Sequence, residues 1–179
     1  MQIETVIAGF GGQGVLFTGK VLAYAAMNEG LEVTWFPSYG PEMRGGTANC
    51  VVVFSDEEIG SPQVLNPKAA IVMNQPSLEK YEQLVQKDGF LVINSSMVNR
   101  EVKRDDIKII NIPGTDLAEA LSDKRFTNII LLGGLVANSD FFPLKKIEKA
   151  LGKSLKGKKG EMLELNIKAL YKGASYKVQ

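Results

Sequence analysis

Histidine is absent from this sequence of 179 residues, and cysteine occurs once, as Cys50. Without histidine the chain cannot supply a Ser-His-Asp or Cys-His nucleophile, a histidine general base or the commonest zinc ligand. A single thiol cannot close an internal disulfide or hold an iron-sulfur cluster. We therefore expect no catalytic residue and no metal site in this chain. Cys50 lies in an apolar run, where we expect a small core side chain.

The sequence also lacks an excess of either charge and any long apolar stretch. It carries 21 Lys+Arg against 20 Asp+Glu, a net charge of +1, which favours neither nucleic acid nor an anionic membrane as a partner. No run reaches 18 consecutive apolar residues, and residues 1–4 show no basic segment followed by an apolar one. We expect a soluble, cytoplasmic protein. The lysine-rich segment 145–159 is interpreted as a solvated helix face and linker in preference to an anion or partner patch.

Apolar strands alternate with helical patterns along the chain. Strands are predicted at 3–8, 32–36, 49–55, 69–73, 90–94 and 107–112, with an irregular loop at 37–47. Helices are predicted at 14–29, from Pro76 to about 87, at 115–121 with Thr115 as cap, at 128–138 as a buried central helix, at 143–151 and at 159–172. This order predicts an α/β fold, a Rossmann-like, open, mainly parallel sheet with helices on both faces. The length favours a single domain, 1–179.

The first glycine-rich stretch follows the first strand and opens a helix. Its pattern, Gly9-x-Gly11-x-x-Gly14, fits the dinucleotide fingerprint, in which backbone N–H groups at a helix N-terminus approach phosphate oxygens. The fingerprint also needs a carboxylate at the end of the second strand, where this chain has Phe36-Pro37-Ser38. The missing carboxylate counts against NAD and FAD. Another phosphate-bearing ligand and glycines that serve only tight packing both stay open.

A second stretch, 37–47, is dense in residue types that bind ligands. Arg44 suits bidentate binding of phosphate or carboxylate, and the hydroxyl groups add donors. A structural turn with a Glu42–Arg44 pair and a subunit contact are the alternatives. Asn74 follows the predicted strand 69–73, where it is either a site residue or the cap of the following helix. The predicted ligand-binding residues are Gly9, Gly11, Gly12, Gln13, Gly14, Ser38, Tyr39, Arg44, Gly45, Gly46, Thr47 and Asn74.

Gly14 to Val21 nearly spells a P-loop. Val21 stands where that motif needs the serine or threonine that holds magnesium, and Gly19 and Lys20 fall inside the predicted helix. We interpret the match as chance.

Three runs, in order along the chain, resemble the gamma subunit of the 2-oxoacid:ferredoxin oxidoreductases. The runs are Gly11-Gly12-Gln13-Gly14-Val15, Pro37-Ser38-Tyr39-Gly40-Pro41-Glu42-Met43-Arg44-Gly45-Gly46-Thr47-Ala48 and Met73-Asn74-Gln75-Pro76-Ser77. The middle run is the specific one, and its Glu42-Met43-Arg44 is most similar to members that use 2-oxoglutarate or branched-chain 2-oxoacids.

The resemblance implies an accessory subunit that is inactive alone. Its partners would be alpha, beta and ferredoxin-like delta subunits, which hold thiamine diphosphate and iron-sulfur clusters in an enzyme that converts a 2-oxoacid to an acyl-coenzyme A. The gamma domain is associated in that family with coenzyme A, so we expect Gly11 to Gly14 to receive one of its phosphates, with Arg44 completing the pocket or a subunit contact. The alternatives are a free-standing nucleotide- or flavin-binding protein and a purely structural subunit.

Overall fold

The computed structural model describes residues 1–38, 47–155 and 160–179. Its strands are β1 Gln2–Phe10, β2 Glu32–Ser38, β3 Thr47–Ser55, β4 Ala69–Val72, β5 Phe90–Asn94 and β6 Lys108–Ile112. Its helices are α1 Val15–Asn28, α2 Gln75–Tyr81, α3 Gly114–Ala120, α4 Thr127–Asn138, α5 Leu144–Ser154 and α6 Glu161–Ala174, and a short 3-10 turn spans Lys124–Phe126. Each of the six predicted strands and six predicted helices is present, with shifted ends.

The six strands form one sheet in the order β2-β3-β1-β4-β5-β6. Strands β1, β4, β5 and β6 are parallel neighbours, whereas β3 is antiparallel to both β1 and β2. The predicted open, mainly parallel α/β sheet is confirmed. Strands β1 and β2, which flank α1 in the chain, are parallel, but β3 is inserted between them, so β2 is an edge strand of the sheet.

The loop predicted at 37–47 is too long at both ends. Pro37 and Ser38 belong to β2, in register with Cys50 and Asn49, and Thr47 begins β3 opposite Phe10. A proline is tolerated here because β2 lies at the edge of the sheet, where one side of the strand needs no ladder bonds. The last described pair between β2 and β3 is therefore Ser38 with Asn49, and residues 39–46 lie outside the described residues.

The two faces of the sheet are covered unequally. The first face packs a large core against α1, α3, α4, α5 and α6, with side chains such as Ile7, Cys50 and Ile110 fully buried. The second face packs a smaller core, which includes Val6, Val72 and Leu91, against Leu78 and Tyr81 of α2. Helices on both faces were expected, and they are found.

Helix α4 is the buried central helix that its apolar sequence predicts, with ten of its twelve residues buried. It crosses α6 so closely that a Cβ atom on Gly133 would overlap the carbonyl oxygen of Leu170, and one on Gly173 would overlap that of Ile130. Glycine is therefore required at this crossing because the backbones themselves are in contact.

Two helix predictions need correction. Helix α2 ends at Tyr81 rather than near 87, since the guanidinium of Arg104 takes the carbonyl oxygens of Glu82 (2.9 Å) and Val85 (2.7 Å) that would continue it. Helix α3 begins at Gly114 after Pro113, so Thr115 is not its cap; its hydroxyl instead accepts a hydrogen bond from Asn94.

Smaller shifts occur at the C-terminal end of the chain. Helix α5 continues to Ser154, past the predicted end at 151, and α6 begins at Glu161 and ends at Ala174. Residues 156–159, which carry part of the lysine-rich segment, lie outside the described residues. Among the helices of the described part, none combines the length and the apolar character that a membrane crossing requires.

Candidate functional site

The glycine loop, residues 9–14, lies at the carboxyl edge of the parallel strands, between β1 and β4. After β1 the chain passes into α1 on the first face of the sheet, and after β4 it passes into α2 on the second. Such a change of side opens a crevice outside the strand ends, which is where open α/β sheets bind ligands. The sequence placed Gly9–Gly14 and Asn74 at this edge, and the structure brings them together.

Two glycines shape the loop for steric reasons. A Cβ atom on Gly9 would lie 2.6 Å from Oε1 of Gln13 and 3.0 Å from Cβ of Met73. The loop can therefore fold back over position 9 only because that residue has no side chain. Gly14, the N-cap of α1, has a φ of 77°, and a Cβ atom there would overlap the amide of Asn128. Gly12 also has a positive φ, 96°, but faces open space with no atom within 4 Å.

Gln13 ties the loop to the sheet. Its backbone N–H donates to the carbonyl of Phe10 (3.1 Å), and its Oε1 accepts from the N–H of Phe10 (2.6 Å). The same Oε1 accepts from Nδ2 of Asn74 at 3.3 Å. The predicted ligand-binding role of Gln13 is untested, but this oxygen is already engaged in holding the loop.

Asn74 is the helix cap that was one of its two predicted roles, and its ligand-binding role stays a prediction. It is the N-cap of α2, where its Oδ1 accepts from the N–H of Ser77 at 2.9 Å, and it is almost completely buried. Its Nδ2 reaches Gln13. Asn74 thus couples the start of α2 to the glycine loop.

Two further asparagines, which sequence analysis did not assign to the site, complete this network. Asn94, fully buried at the end of β5, donates to the carbonyl of Met73 (3.2 Å) and to the hydroxyl of Thr115 (3.0 Å). Asn128, at the start of α4, donates to the carbonyl of Gly14 (3.1 Å). A sequence signal existed for both residues. Asn94, like Asn74, is an amide residue at the end of an apolar strand, and Asn128 is an amide residue at the start of an apolar helix.

The ends of the second glycine-rich stretch lie at the same edge. Because β2 runs parallel to β1, half-buried Ser38 is at the loop end of the sheet, and exposed Thr47 lies opposite Phe10, the residue that precedes Gly11. The two stretches are therefore adjacent at their stems. Tyr39, Arg44, Gly45 and Gly46, also predicted to bind ligand, are outside the described residues.

The near P-loop at Gly14 to Val21 is a packing feature. Gly19 lies inside α1, where a Cβ atom would overlap Sγ of Cys50 and lie 2.9 Å from Nε1 of Trp35. Cys50 is fully buried, as expected, and burial raises the pKa of its thiol to about 12, although hydrogen bonds from Trp35 and Gly19 oppose that rise. Gly19 therefore lets α1 approach β2 and β3, which accounts for the match without a nucleotide.

The described part of the site contains amides and backbone groups rather than acids or bases. Carboxamide side chains do not titrate, so they can orient donors but cannot act as general acids or bases. The first turn of α1 has free N–H donors by geometry, and no described side chain caps it. Together with the open space at Gly12, this arrangement suits an anionic group bound by backbone N–H donors.

Comparison with known proteins identifies the family. Residues 4–176 match the family model described as pyruvate ferredoxin/flavodoxin oxidoreductase, and the chain belongs to that family. The ketoisovalerate oxidoreductase subunit VorA of Methanothermobacter marburgensis is 35% identical over 176 residues. That alignment covers 98% of this chain but only 36% of VorA, so the chain spans about a third of the length of this relative.

Solved structures show the same fold in a chain of similar length and in a longer one. The gamma subunit of a keto/oxoacid ferredoxin oxidoreductase from Geobacter sulfurreducens matches with a TM-score of 0.84 and 26% identity, over 98% of this chain and 95% of that one. A 2-oxoglutarate:ferredoxin oxidoreductase from Magnetococcus marinus, with 2-oxoglutarate, coenzyme A and succinyl-CoA bound, matches with a TM-score of 0.86 and 23% identity, over 97% of this chain and 30% of that one.

Proposed function

We propose that this chain is the gamma subunit of a 2-oxoacid:ferredoxin oxidoreductase and that it is inactive without its partners. The single observation that carries the proposal is the match of residues 4–176 to one oxidoreductase family. The gamma subunit from Geobacter sulfurreducens supports it, since this chain covers 95% of that protein. Family membership favours this function over a free-standing nucleotide- or flavin-binding protein.

The partners in this proposal are alpha, beta and ferredoxin-like delta subunits. They supply thiamine diphosphate, and they also supply the iron-sulfur clusters, because this chain holds one cysteine, buried in the core, and no histidine. Among residues 1–38, 47–155 and 160–179, no three potential metal ligands lie together. The complex oxidatively decarboxylates a 2-oxoacid: the carboxyl group leaves as CO2, the acyl group passes to the thiol of coenzyme A, and two electrons pass to ferredoxin. Relatives named ketoisovalerate oxidoreductase and 2-oxoglutarate synthase are equally similar, at 35% identity, so the substrate in this proposal is either a branched-chain 2-oxoacid or 2-oxoglutarate.

Within that complex, the glycine loop binds a phosphate group of coenzyme A. The contribution of this chain is to hold backbone N–H donors in place. The donors we assign are the N–H groups of Gly11, Gly12 and Gly14 and of the first turn of α1, because the N–H of Gln13 already donates to Phe10. The positive end of the helix dipole favours the anion, and the side-chain amides of Gln13, Asn74 and Asn128 fix the loop. Arg44, with the hydroxyls of Ser38, Tyr39 and Thr47, completes the pocket or contacts a partner.

The test is isothermal titration of the purified complex with coenzyme A. A methyl group on Gly12 fills the open space over the loop, so we expect Gly12→Ala to weaken binding by about tenfold or more, equivalent to one lost charge-assisted hydrogen bond. Gly30→Ala is a matched control, because Gly30 also has a positive φ (78°) and no atom within 4 Å, but lies at the other end of α1.

The control separates strain from ligand contact. Both substitutions strain the backbone to a similar degree, about 1–2 kcal/mol, so they should lower stability alike, while only Gly12→Ala weakens binding. Equal affinity in the two variants would exclude the glycine loop from coenzyme A binding.

For Arg44→Ala, unchanged affinity, turnover and co-purification would remove Arg44 from both of its proposed roles. Reduction of a viologen dye with 2-ketoisovalerate or 2-oxoglutarate distinguishes the substrates.

A further inference from the structure

The second face of the sheet is open at its β2–β3 end. One cross-strand row runs from Phe36 through Val51 to Val6, and exposure along it falls from 53% at Phe36, through half-buried Val51, to 3% at Val6. The β2–β3 end of this face is exposed because α2 packs over β4 and β1 and does not reach it. Helix α1 packs against β2 and β3, but on the other face. A large aromatic side chain is therefore left in solvent on a sheet face.

The open sheet face is defined by the residues of β1, β2 and β3 that alternation places beside Phe36: Phe10, Thr34, Asn49 and Val51. Phe10 and Val51 are only half-buried in the described structure. Phe10 directly precedes Gly11, so the apolar end of this face borders the glycine loop. Whatever covers the face also lies beside the proposed coenzyme A site.

The opposite end of the same face is acidic. Strand alternation places Glu4 and Glu32 on this side, toward the start of β1 and β2, and neither forms an ion pair among the described residues. If two copies of this face met with their strands in the same direction, carboxylates would oppose carboxylates. If the strands ran in opposite directions, the carboxylates would be desolvated against Phe10 and Phe36. Both arrangements are unfavourable, so a second copy of this chain fits poorly.

We propose that the open sheet face docks a different subunit of the oxidoreductase, one whose surface is apolar opposite Phe36 and basic opposite Glu4 and Glu32. This inference rests on the proposed function. A domain similar to this chain makes up about a third of VorA, whose remaining two thirds are candidates for the same contact. Charge complementarity of this kind sets the orientation of the partner and excludes wrong ones.

The size of the face fits part of a stable interface. Val6, Ala8 and Val53 on this face are already buried, so its exposed part spans about five residues on three strands, about 16 Å by 14 Å or about 200 Å². This is a quarter of the ~800 Å² that one partner contributes to a standard interface. The contact must therefore continue onto the surface beside the three strands. Phe36, the exposed aromatic residue of this face, is expected to contribute most of the binding energy.

The experiment compares two lysine substitutions in the tagged full-length chain, expressed in its native host and purified with its complex. Phe36→Lys places a cation on the open sheet face. Met27→Lys is the matched control, because Met27 is similarly exposed, at 57%, but lies on α1. The readouts are the amounts of the other oxidoreductase subunits recovered, identified by mass spectrometry, and the 2-oxoacid-dependent dye reduction. Circular dichroism and thermal unfolding confirm that each variant is folded.

We expect Phe36→Lys to lower recovery of the partner subunits by about tenfold or more, as loss of an aromatic interface residue does, and Met27→Lys to leave it within about twofold of wild type. The double variant Glu4→Lys/Glu32→Lys should lower recovery most at low salt, where screening is weakest. Recovery of Phe36→Lys within twofold of wild type overturns the inference but leaves the proposed function intact. A homodimer that Phe36→Lys dissociates would also overturn it. If the wild-type chain itself recovers no oxidoreductase subunit, the proposed function fails.

Discussion

Nδ2 of Asn74 donates to Oε1 of Gln13 across 3.3 Å, and this bond joins the cap of α2 to the glycine loop. Asn74 thereby connects a helix on the second face of the sheet to the start of a helix on the first. The same residue caps α2 through Ser77, and both partners in that contact are buried. Asn74 thus contributes both to the order of the glycine loop and to the stability of α2.

Substitution of Asn74 can separate these two effects. Asn74→Ser keeps a hydroxyl oxygen that caps α2 but cannot reach Gln13, so we expect a loss of about 0.5–1.5 kcal/mol from the missing hydrogen bond. Asn74→Ala loses the cap as well and should cost about 1 kcal/mol more. Urea unfolding of the isolated chain measures both values.

Coenzyme A titration of the complex then tests the coupling. Both variants release the glycine loop from Asn74, so they should weaken binding equally although their stabilities differ. If instead Asn74→Ser bound coenzyme A nearly as well as wild type and only Asn74→Ala bound it more weakly, the contact with Gln13 would be irrelevant to binding.

The crossing of α4 and α6 gives a second prediction, on stability. Gly133→Ala would push a methyl group into the carbonyl oxygen of Leu170, and since that atom belongs to the backbone of a packed helix it cannot move aside. We expect a loss of about 1–3 kcal/mol or more, as for other overpacked cores, measured as a lower urea midpoint.

Gly152→Ala is the matched control for that prediction. Gly152 also lies inside a helix, α5, but has no atom within 4 Å of an added Cβ. There the helix propensity of alanine should raise stability by about 0.5–1 kcal/mol. If both alanines stabilised the protein, the close crossing of α4 and α6 would be wrong.

The fold was predictable from sequence where the information is local. Buried elements were predicted from the short apolar runs at 69–73 and 90–94 and from the continuous apolar run at 128–138. The ends of these elements in the structure agree with the prediction to within one or two residues. The pairing of β3 between β1 and β2 was not predictable this way. A run such as Cys50 to Phe54 shows that a strand is buried but not which neighbours it takes or in which direction.

The site shows the same limit. Glycine spacing and the amide at position 74 placed the loop correctly at the strand edge, because strand ends and helix starts are local signals. The partners of those residues depend on tertiary contacts, so Asn128, which is 114 residues from Gly14 along the chain, could not be paired with it in advance. The prediction that Pro37 lies in a loop was wrong for a related reason. A proline is tolerated in a strand at the edge of a sheet, and only the sheet order shows that β2 is an edge strand.

The thiol of Cys50 gives a prediction about pH. Burial raises its pKa from 9.0 to about 12 in the folded chain. Between these two values the unfolded chain releases a proton that the folded chain retains, so rising pH favours unfolding within that window, whereas below pH 9 the thiol contributes no pH dependence. Native Cys50 should therefore resist a thiol reagent at pH 8 and react once urea unfolds the chain.

Cys50→Ala isolates this effect from the other groups that titrate at high pH. The substitution leaves a small cavity, so the variant is less stable than wild type at neutral pH. Its alanine does not ionise, however, so the difference in unfolding free energy between the two proteins should shrink by about 1.4 kcal/mol from pH 8 to pH 10. Urea unfolding at the two pH values measures the change. A constant difference would mean that the folded thiol ionises as readily as the unfolded one, and hence that water reaches Cys50 beneath α1.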